Sequence, residues 1–176
     1  MSKNIVAEFN KISFDQFETD WIDTFGESYF LNDRISNIID IYNRIKSPKR
    51  ATIGSAGYDI YTPIDIILQP GESIKIPTGL KCRIDEGWFM GIFPRSGHGF
   101  RYGLRITNTI GIIDSDYYYS DNQGHIFIKL INDSSINKTV KIFSGQAFAQ
   151  AIFIPYGITV NDKVDNIRNG GLGSTN

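Results

Sequence analysis

Short apolar runs separated by turn residues fill the chain from residue 56 to residue 155, and this pattern most restricts the possible fold. Glycine and proline mark the breaks, as at Gln69-Pro-Gly71 and Ser144-Gly145. Regularly spaced short strands without helices between them are typical of a sandwich, a barrel or a jelly roll. We predict strands at Ile74–Leu80, Trp88–Phe93, Leu104–Asn108, Ile126–Asn132, Thr139–Phe143 and Phe148–Pro155.

Residues 13–46 follow a different, helical pattern. Ser13 begins a capping-box spacing, and Gly26 supplies a stop for a first helix. A second helix can begin at Asn32 or Asp33 and ends before the next proline. We interpret this stretch as a surface helical insertion in a single β domain of 176 residues, with a protein partner as one possible role.

Composition excludes several classes of protein. The net charge of −1 gives no basic field for nucleic-acid binding. Cys82 is the one cysteine, so the chain has no internal disulfide and no cysteine-cluster metal site. No run of 18 apolar residues occurs, which argues against a membrane span. We therefore expect a soluble cytoplasmic protein.

Two carboxylates follow the apolar run Ile110–Ile113. Asp114 and Asp116 lie two residues apart, and Tyr117 follows them directly. In extended backbone, residues two apart point to the same face, and paired acids at the end of a buried strand suit a cation or a reacting water. The same residues also fit an ordinary acidic turn that closes a strand.

Four further segments could hold functional residues, and each also has an ordinary structural explanation. Arg95 and Ser96 end a predicted strand, where a guanidinium fork and a hydroxyl could bind phosphate or satisfy turn carbonyls. Asp59 follows a small flexible turn, and Gln150 lies at the start of a strand. The glycine-rich segment 168–176 could wrap phosphates with its N–H groups or form a free end.

The order of these segments is more informative than any one of them. Together they resemble the five motifs of trimeric dUTP diphosphatases (dUTPases), in the succession Ser55–Asp59, Pro94–Gly97, Gly111–Tyr117, Gly145–Gln150 and Gly170–Thr175. The resemblance implies a mainly β, jelly-roll-like subunit in a homotrimer with shared active sites. It also implies Mg²⁺-assisted attack of water on the α-phosphate of dUTP, which yields dUMP and pyrophosphate.

The resemblance assigns the third motif to the nucleoside and to the reacting water. Asp114 would orient and deprotonate that water, and Tyr117 would pack under the deoxyribose and exclude a 2′-hydroxyl. Asn108 would read the edge of the uracil, helped by backbone groups of the intervening hairpin, including Gly111 and Ile113.

The other motifs are assigned to the phosphates. Arg95, Ser96 and Gly97 would hold them, Gln150 would add a polar contact, and Asp59 would act on Mg²⁺ through coordinated waters. A flexible C-terminal motif at 166–176 would close over the nucleotide, through Arg168, Gly171, Leu172, Gly173, Ser174 and Thr175.

The chain departs from the family pattern at three places. Leu172 stands where an aromatic residue usually covers the uracil, and Arg168 is one residue nearer to that position than is usual. Residues 118–123 lengthen the segment between Tyr117 and Gly124, and we expect them to form an extended hairpin tip.

The sequence leaves two alternatives to a dUTPase function. A dCTP deaminase of the same superfamily needs a carboxylate three residues before the Asn of the following strand, and Lys129 precedes Asn132 at that spacing. The second alternative is a nucleotide-responsive regulatory module that has no catalytic role.

Overall fold

The structure is a computed structural model that describes residues 4–26, 34–166 and 168–171, the side chains of residues 34–36 excepted. Within these residues the chain forms twelve strands and three α-helices. The strands are β1 Ala7–Lys11, β2 Lys49–Arg50, β3 Tyr58–Tyr61, β4 Ile66–Leu68, β5 Ser73–Pro77, β6 Leu80–Ile84, β7 Trp88–Pro94, β8 Leu104–Ile106, β9 Gly111–Ile113, β10 Phe127–Asn132, β11 Val140–Ile142 and β12 Ala147–Pro155. The helices are α1 Phe14–Phe25, α2 Arg34–Asn43 and α3 Ser96–Tyr102, and a 3₁₀ helix spans Ser115–Tyr119.

Every strand pair in these residues is antiparallel, and the predicted mainly β class is confirmed. The largest sheet has the order β2-β3-β12-β7-β9, and a second sheet has the order β5-β10-β8. Two-stranded sheets β11-β4 and β1-β6 complete the fold. Buried side chains from all four sheets form one hydrophobic core. Strand β12 is central to the largest sheet, and its neighbours β3 and β7 carry two of the segments singled out in the sequence.

Helix α1 forms where its caps predict it. Ser13 Oγ accepts a hydrogen bond from the Gln16 N–H at 3.3 Å, and Gly26 ends the helix with φ +79°. Phe17 and Trp21 are fully buried on one face. Burial of each such side chain contributes about 2–3 kcal/mol to stability, so α1 is part of the core and more than a surface addition.

Helix α2 also contributes to the core, through buried Ile38 and Ile41. It ends at Asn43, short of the predicted end at residue 46. The predicted start at Asn32 or Asp33 lies outside the described residues.

One predicted strand divides into two. The run Ile74–Leu80 becomes the end of β5 and the start of β6, because the chain turns at Gly79. Gly79 has φ +71°, and a Cβ there would collide with the side chain of Ile45. A glycine is therefore required at this turn by both backbone conformation and packing.

His125 joins α1 to the sheets. Its imidazole is fully buried, with Nδ1 2.5 Å from the Asp20 carboxylate and Nε2 accepting the Gly79 N–H at 2.8 Å. Because Nε2 accepts, Nδ1 carries the hydrogen and donates it to Asp20, and the ring is neutral. Burial lowers the pKa of His125 below its ordinary value of 6.5, although Asp20 acts in the opposite direction.

This burial predicts a pH dependence of stability. The unfolded chain takes up a proton on His125 near pH 6.5, whereas the folded chain resists it. The contribution of neutral, buried His125 to the free energy of unfolding is therefore complete above pH 6.5. It is lost progressively as the pH falls below that value. Denaturant unfolding at a series of pH values should show a smaller acid-side slope in His125→Asn than in the parent protein.

The second histidine provides the control for this experiment. His98 is less buried than His125, so His98→Asn should remove less of the slope than His125→Asn does, although its pKa is also lowered. Asp20 and Lys75 also bear on the charge of the buried imidazole, and the Tyr117 hydroxyl binds the backbone carbonyl of His125. Equal slopes in the parent protein and in His125→Asn would contradict the prediction.

Among the described residues, no helix is both long and apolar enough to cross a membrane.

Candidate functional site

A cavity of about 660 Å³ collects the residues predicted to hold phosphate. Asp59 comes from β3, Gln150 from β12, and Arg95 follows the end of β7. Gln150 pairs with Asp59 on one side and with Phe93 on the other, so β12 sets the spacing between the Asp59 and Arg95 sides of the cavity. Three segments that are distant in sequence therefore line the same cavity.

Two charged residues of this cavity, Arg95 and Asp59, form an ion pair. Arg95 Nε lies 3.1 Å from Asp59 Oδ1, and the Arg95 side chain is 40% exposed. Gln150 Nε2 donates to the Pro94 carbonyl at 3.1 Å and holds the backbone just before Arg95. A Cβ on Gly57 would lie 2.5 Å from Gln150 Oε1, so a larger residue there would displace this amide.

Ser96 and Gly97 lie in helix α3, where the sequence predicts a turn. Arg95 occupies the N-cap position, and the next three residues line the cavity together with Arg101. Burial, Arg95 and Arg101 all lower the pKa of His98 below its ordinary value. Helix α3 thus supplies a hydroxyl and two guanidinium groups to one cavity, and Arg101 and His98 were not predicted to line it.

A second, smaller cavity of about 80 Å³ surrounds the acidic segment. Asp114 follows β9, and its side chain is 46% exposed. Its lining residues are Ile112, Ile113, Asp114, Tyr117, Phe127, Arg168 and Gly171. The structure therefore brings Asp114, Tyr117, Arg168 and Gly171 together, as the prediction of a common site requires.

Arg168 bridges the two carboxylates of this segment. Its Nη2 lies 2.6 Å from Asp114 Oδ2, and its Nε lies 2.9 Å from Asp116 Oδ1. Gly171 packs on Tyr117 so closely that a Cβ would lie 2.5 Å from the ring. Within the chain Arg168 therefore contacts acids and does not line the first cavity, and its contact with phosphate stays a prediction. Leu172, Gly173, Ser174 and Thr175 lie outside the described residues.

Tyr117 is buried within the 3₁₀ helix. Its hydroxyl donates to the His125 carbonyl at 2.7 Å and accepts from Asn122 Nδ2 at 2.8 Å. Burial raises the pKa of this phenol, so it stays protonated and able to donate.

The predicted hairpin around Tyr117 does not form. Strand β9 pairs with β7, whereas β8 and β10 pair in another sheet, so Asn108 lies where the chain passes between sheets. Residues 115–119 form the 3₁₀ helix, and a turn at 120–124 replaces the expected extended tip. Tyr119 is exposed, whereas Tyr118 donates to Asn10 Oδ1 at 3.1 Å.

The backbone beside Asn108 is strained. Thr109 has φ +68°, and the Ile110 N–H donates to the Asn108 carbonyl at 2.8 Å, the hydrogen bond of a γ-turn. A β-branched residue rarely adopts this conformation. The Asn108 side chain is exposed and has no hydrogen-bond partner among the described residues, so its amide is available to a ligand.

Relief of this strain should stabilise the fold. We expect Thr109→Gly to raise the free energy of unfolding by about 0.5–1 kcal/mol, because the left-handed backbone then carries no Cβ penalty. Thr107→Gly is the matched control, since Thr107 has no positive φ and its N–H donates to Lys129 O at 2.9 Å. Denaturant unfolding should give opposite signs for the two variants, and a loss of stability in both would contradict the prediction.

The two cavities have no lining residue in common. Ile113 pairs with Met90, so Asp114 lies beside Phe89 near the start of β7, whereas Arg95 follows its end. Phe89 and Arg95 are six residues apart along this strand, so Asp114 and Arg95 are separated by roughly 20 Å.

The oxygen atoms in the first cavity that could face a cation include those of the Asp59 carboxylate, the Gln150 amide and the Ser96 hydroxyl. No group of three His, Cys, Asp or Glu side chains in the described part of the chain could hold a metal ion. Mg²⁺ prefers oxygen ligands, keeps several waters and binds through one or two carboxylates together with substrate phosphates. The residues present thus fit a Mg²⁺ ion held chiefly by phosphate and water, with Asp59 as an outer contact.

An antiparallel β-subunit with a guanidinium- and hydroxyl-lined cavity and a separate exposed carboxylate has the character of a phosphate-handling enzyme. A family model described as dUTPase matches residues 43–176, and the chain belongs to the dUTPase family. The deoxyuridine 5′-triphosphate nucleotidohydrolase of Lactococcus lactis is 38% identical over 134 residues, which are 74% of this chain and 88% of that protein.

Solved structures agree with this family. The dUTPase of Streptococcus mutans superposes with a TM-score of 0.60 at 27% identity, over 86% of this chain and 97% of that chain. A mutant dUTPase from phage phi11 of S. aureus has the same fold, with a TM-score of 0.54 at 24% identity, over 70% and 92% of the two chains. That mutant is described as showing the coordination of a structural Mg(II) ion.

Proposed function

We propose that this protein hydrolyses dUTP to dUMP and pyrophosphate, with Mg²⁺ as its cofactor. Its family and its curated relatives support this activity. Within the chain, the observation that carries the proposal is the grouping of Asp114, Tyr117 and a strained, ligand-accessible Asn108 segment around β9. These residues supply a base, a surface for the sugar and an amide for the pyrimidine.

The nucleoside half of the reaction belongs to the residues near β9. Asp114 is exposed enough to reach a water and would take its proton during attack on the α-phosphate. The Tyr117 ring, fixed by the two hydrogen bonds of its buried hydroxyl, would pack under the deoxyribose and leave no space for the 2′-hydroxyl of UTP. Asn108 would pair with uracil, beside the backbone of Gly111 and Ile113.

The phosphate half belongs to the first cavity. The planar fork of Arg95 suits phosphate oxygens, and Ser96 adds a hydroxyl donor. Gln150 fixes the backbone before Arg95 and acts through it. When Mg²⁺ is bound it neutralises phosphate charge, and Asp59 would hold its coordinated waters.

We propose that the two halves meet between chains of a homotrimer. The separation of roughly 20 Å between Asp114 and Arg95 along β7 argues that a single chain does not bring both to one nucleotide. A neighbouring subunit would supply one half, and the C-terminal motif, including Leu172 and Ser174, would close the site.

The alternative activities are less favoured. Lys129 lies in β10 at the position where a deaminase needs its carboxylate, and a lysine cannot act as that acid. A purely regulatory role would not require the Asp114 and Arg95 groups to be retained together. Cytoplasmic location and a protein partner for α1 and α2 stay predictions.

Pyrophosphate release from dUTP, dCTP and UTP in the presence of Mg²⁺ tests the proposal. We expect turnover of dUTP, almost none of UTP, and no ammonia release from dCTP. A folded trimer that leaves dUTP intact, or that cleaves UTP equally well, would contradict the proposed function. Ammonia release from dCTP would favour the deaminase.

A further inference from the structure

The position of Tyr117 depends on a loop outside its own helix. Its hydroxyl is bound by the carbonyl of His125 and by the amide of Asn122. Asn122 Oδ1 in turn accepts from the Ser120 hydroxyl at 2.9 Å and from the Gly124 N–H at 3.2 Å. The turn at 120–125 therefore determines where the phenol ring lies.

This turn packs directly on the 3₁₀ helix. Gly124 has φ +72°, and a Cβ there would lie 2.8 Å from both the Tyr117 carbonyl oxygen and Tyr118 Cα. With so little free space, a displacement of the turn would be transmitted to the backbone of Tyr117.

Helix α1 holds the turn at two points. At its N-terminus, the Ser13 N–H donates to Gln123 Oε1 at 3.0 Å, and Gln123 Nε2 donates back to Ser13 Oγ at 2.9 Å. Two helical turns later, Asp20 accepts the hydrogen of the buried His125 ring. The first anchor is exposed, and the second is nearly closed to solvent, with Asp20 13% exposed.

The helix that carries these anchors is itself fixed. Phe17 and Trp21 flank Asp20 on the buried side of α1, and both are fully buried. A rigid core element thus reaches the predicted sugar-binding residue through two hydrogen-bonded links.

We infer that α1 is a positioning element for Tyr117 and that Asp20 is its main positioning residue, acting through His125. This inference rests on the proposed function, because it concerns selection of deoxyribose over ribose. Without the Asp20 carboxylate, the buried Nδ1–H has no acceptor, and the turn must shift or open to satisfy it. The phenol then no longer holds the sugar at a fixed distance.

The test compares kcat and KM for dUTP and UTP in the parent protein and in three variants. We expect Asp20→Ala to raise KM for dUTP and to lower the dUTP-to-UTP ratio of kcat/KM by about tenfold. Asp20→Asn keeps an acceptor oxygen at the same place and should restore most of that ratio. Asp23→Ala removes an exposed carboxylate from the same helix and should behave as the parent protein.

A fourth variant covers the case in which Asp20→Ala does not fold. Gln123→Ala removes the exposed anchor and should move the ratio in the same direction by a smaller factor. An unchanged ratio in folded Asp20→Ala, or in Gln123→Ala where the former is unfolded, would overturn the inference and leave dUTP hydrolysis intact. A parent protein inactive on dUTP would overturn the proposed function as well.

Discussion

Asp114→Asn is expected to lower kcat for dUTP at least about a thousandfold while dUTP still binds with nearly unchanged affinity. An amide has the shape and hydrogen-bonding oxygen of the carboxylate, but it cannot take a proton from water. Binding should persist because the proposed phosphate contacts lie elsewhere, around Arg95. Single-turnover hydrolysis and calorimetric titration with a non-hydrolysable dUTP analogue measure the two quantities separately.

Asp116→Asn is the matched control for this experiment. Both aspartates bind the guanidinium of Arg168, at 2.6 and 2.9 Å, so each variant removes one half of the same ion pair. If Asp114 acts as the base, only its variant loses the chemical step. Equal losses in both variants would assign the effect to the ion pair, and loss of dUTP binding in Asp114→Asn would identify a structural acid.

Arg95→Ala should reduce kcat/KM for dUTP by about 10²–10³-fold. It removes the guanidinium fork from the first cavity, where we propose that phosphate binds, and leaves the Asp59 carboxylate without its 3.1 Å partner. Arg95→Lys should recover only part of the loss, because an ammonium carries the charge without the planar pair of donors. Steady-state kinetics with dUTP distinguish these variants.

Arg105→Ala is the control for Arg95→Ala, because it also removes one arginine ion pair but at a place outside both cavities. Arg105 Nε binds Asp133 Oδ2 at 2.8 Å, and its side chain is 48% exposed, close to the exposure of Arg95. It lines neither cavity, so we expect kcat/KM to stay within about twofold, as for an exposed ion pair. A large loss in Arg105→Ala, or a small one in Arg95→Ala, would contradict the assignment of the cavity to phosphate.

The sequence was sufficient to predict those helices and strands whose ends are specified by residues close to them in the chain. Ser13 and Gly26 lie at the ends of α1 and act within one helical turn, so spacing alone located the helix. The same holds for β7 and β12, whose apolar runs end at proline. The order of the motifs then predicted which of these strand ends carry chemistry.

Other features depend on contacts that no local pattern encodes. His125 meets Asp20 across 105 positions of sequence, so its burial and its role beside Tyr117 follow from the tertiary fold alone. Helix α3 contains two glycines, which are poor helix formers, and the segment therefore read as a turn. The pairing of β9 with β7 was equally hidden, because alternation in a strand does not identify its partner.

The central place of β12 limits how the length of this chain can change during evolution. Gln150 is in register with β3 on one side and with β7 on the other, and the one irregularity in its pairing with β3 lies between Ala147 and Ala149. One inserted or deleted residue beyond that bulge would turn every following side chain to the opposite face of the sheet. A length change in segment 156–166, which is outside the strands, would leave this register unchanged. Strand β12 thus fixes the positions of the β3 and β7 motifs relative to each other.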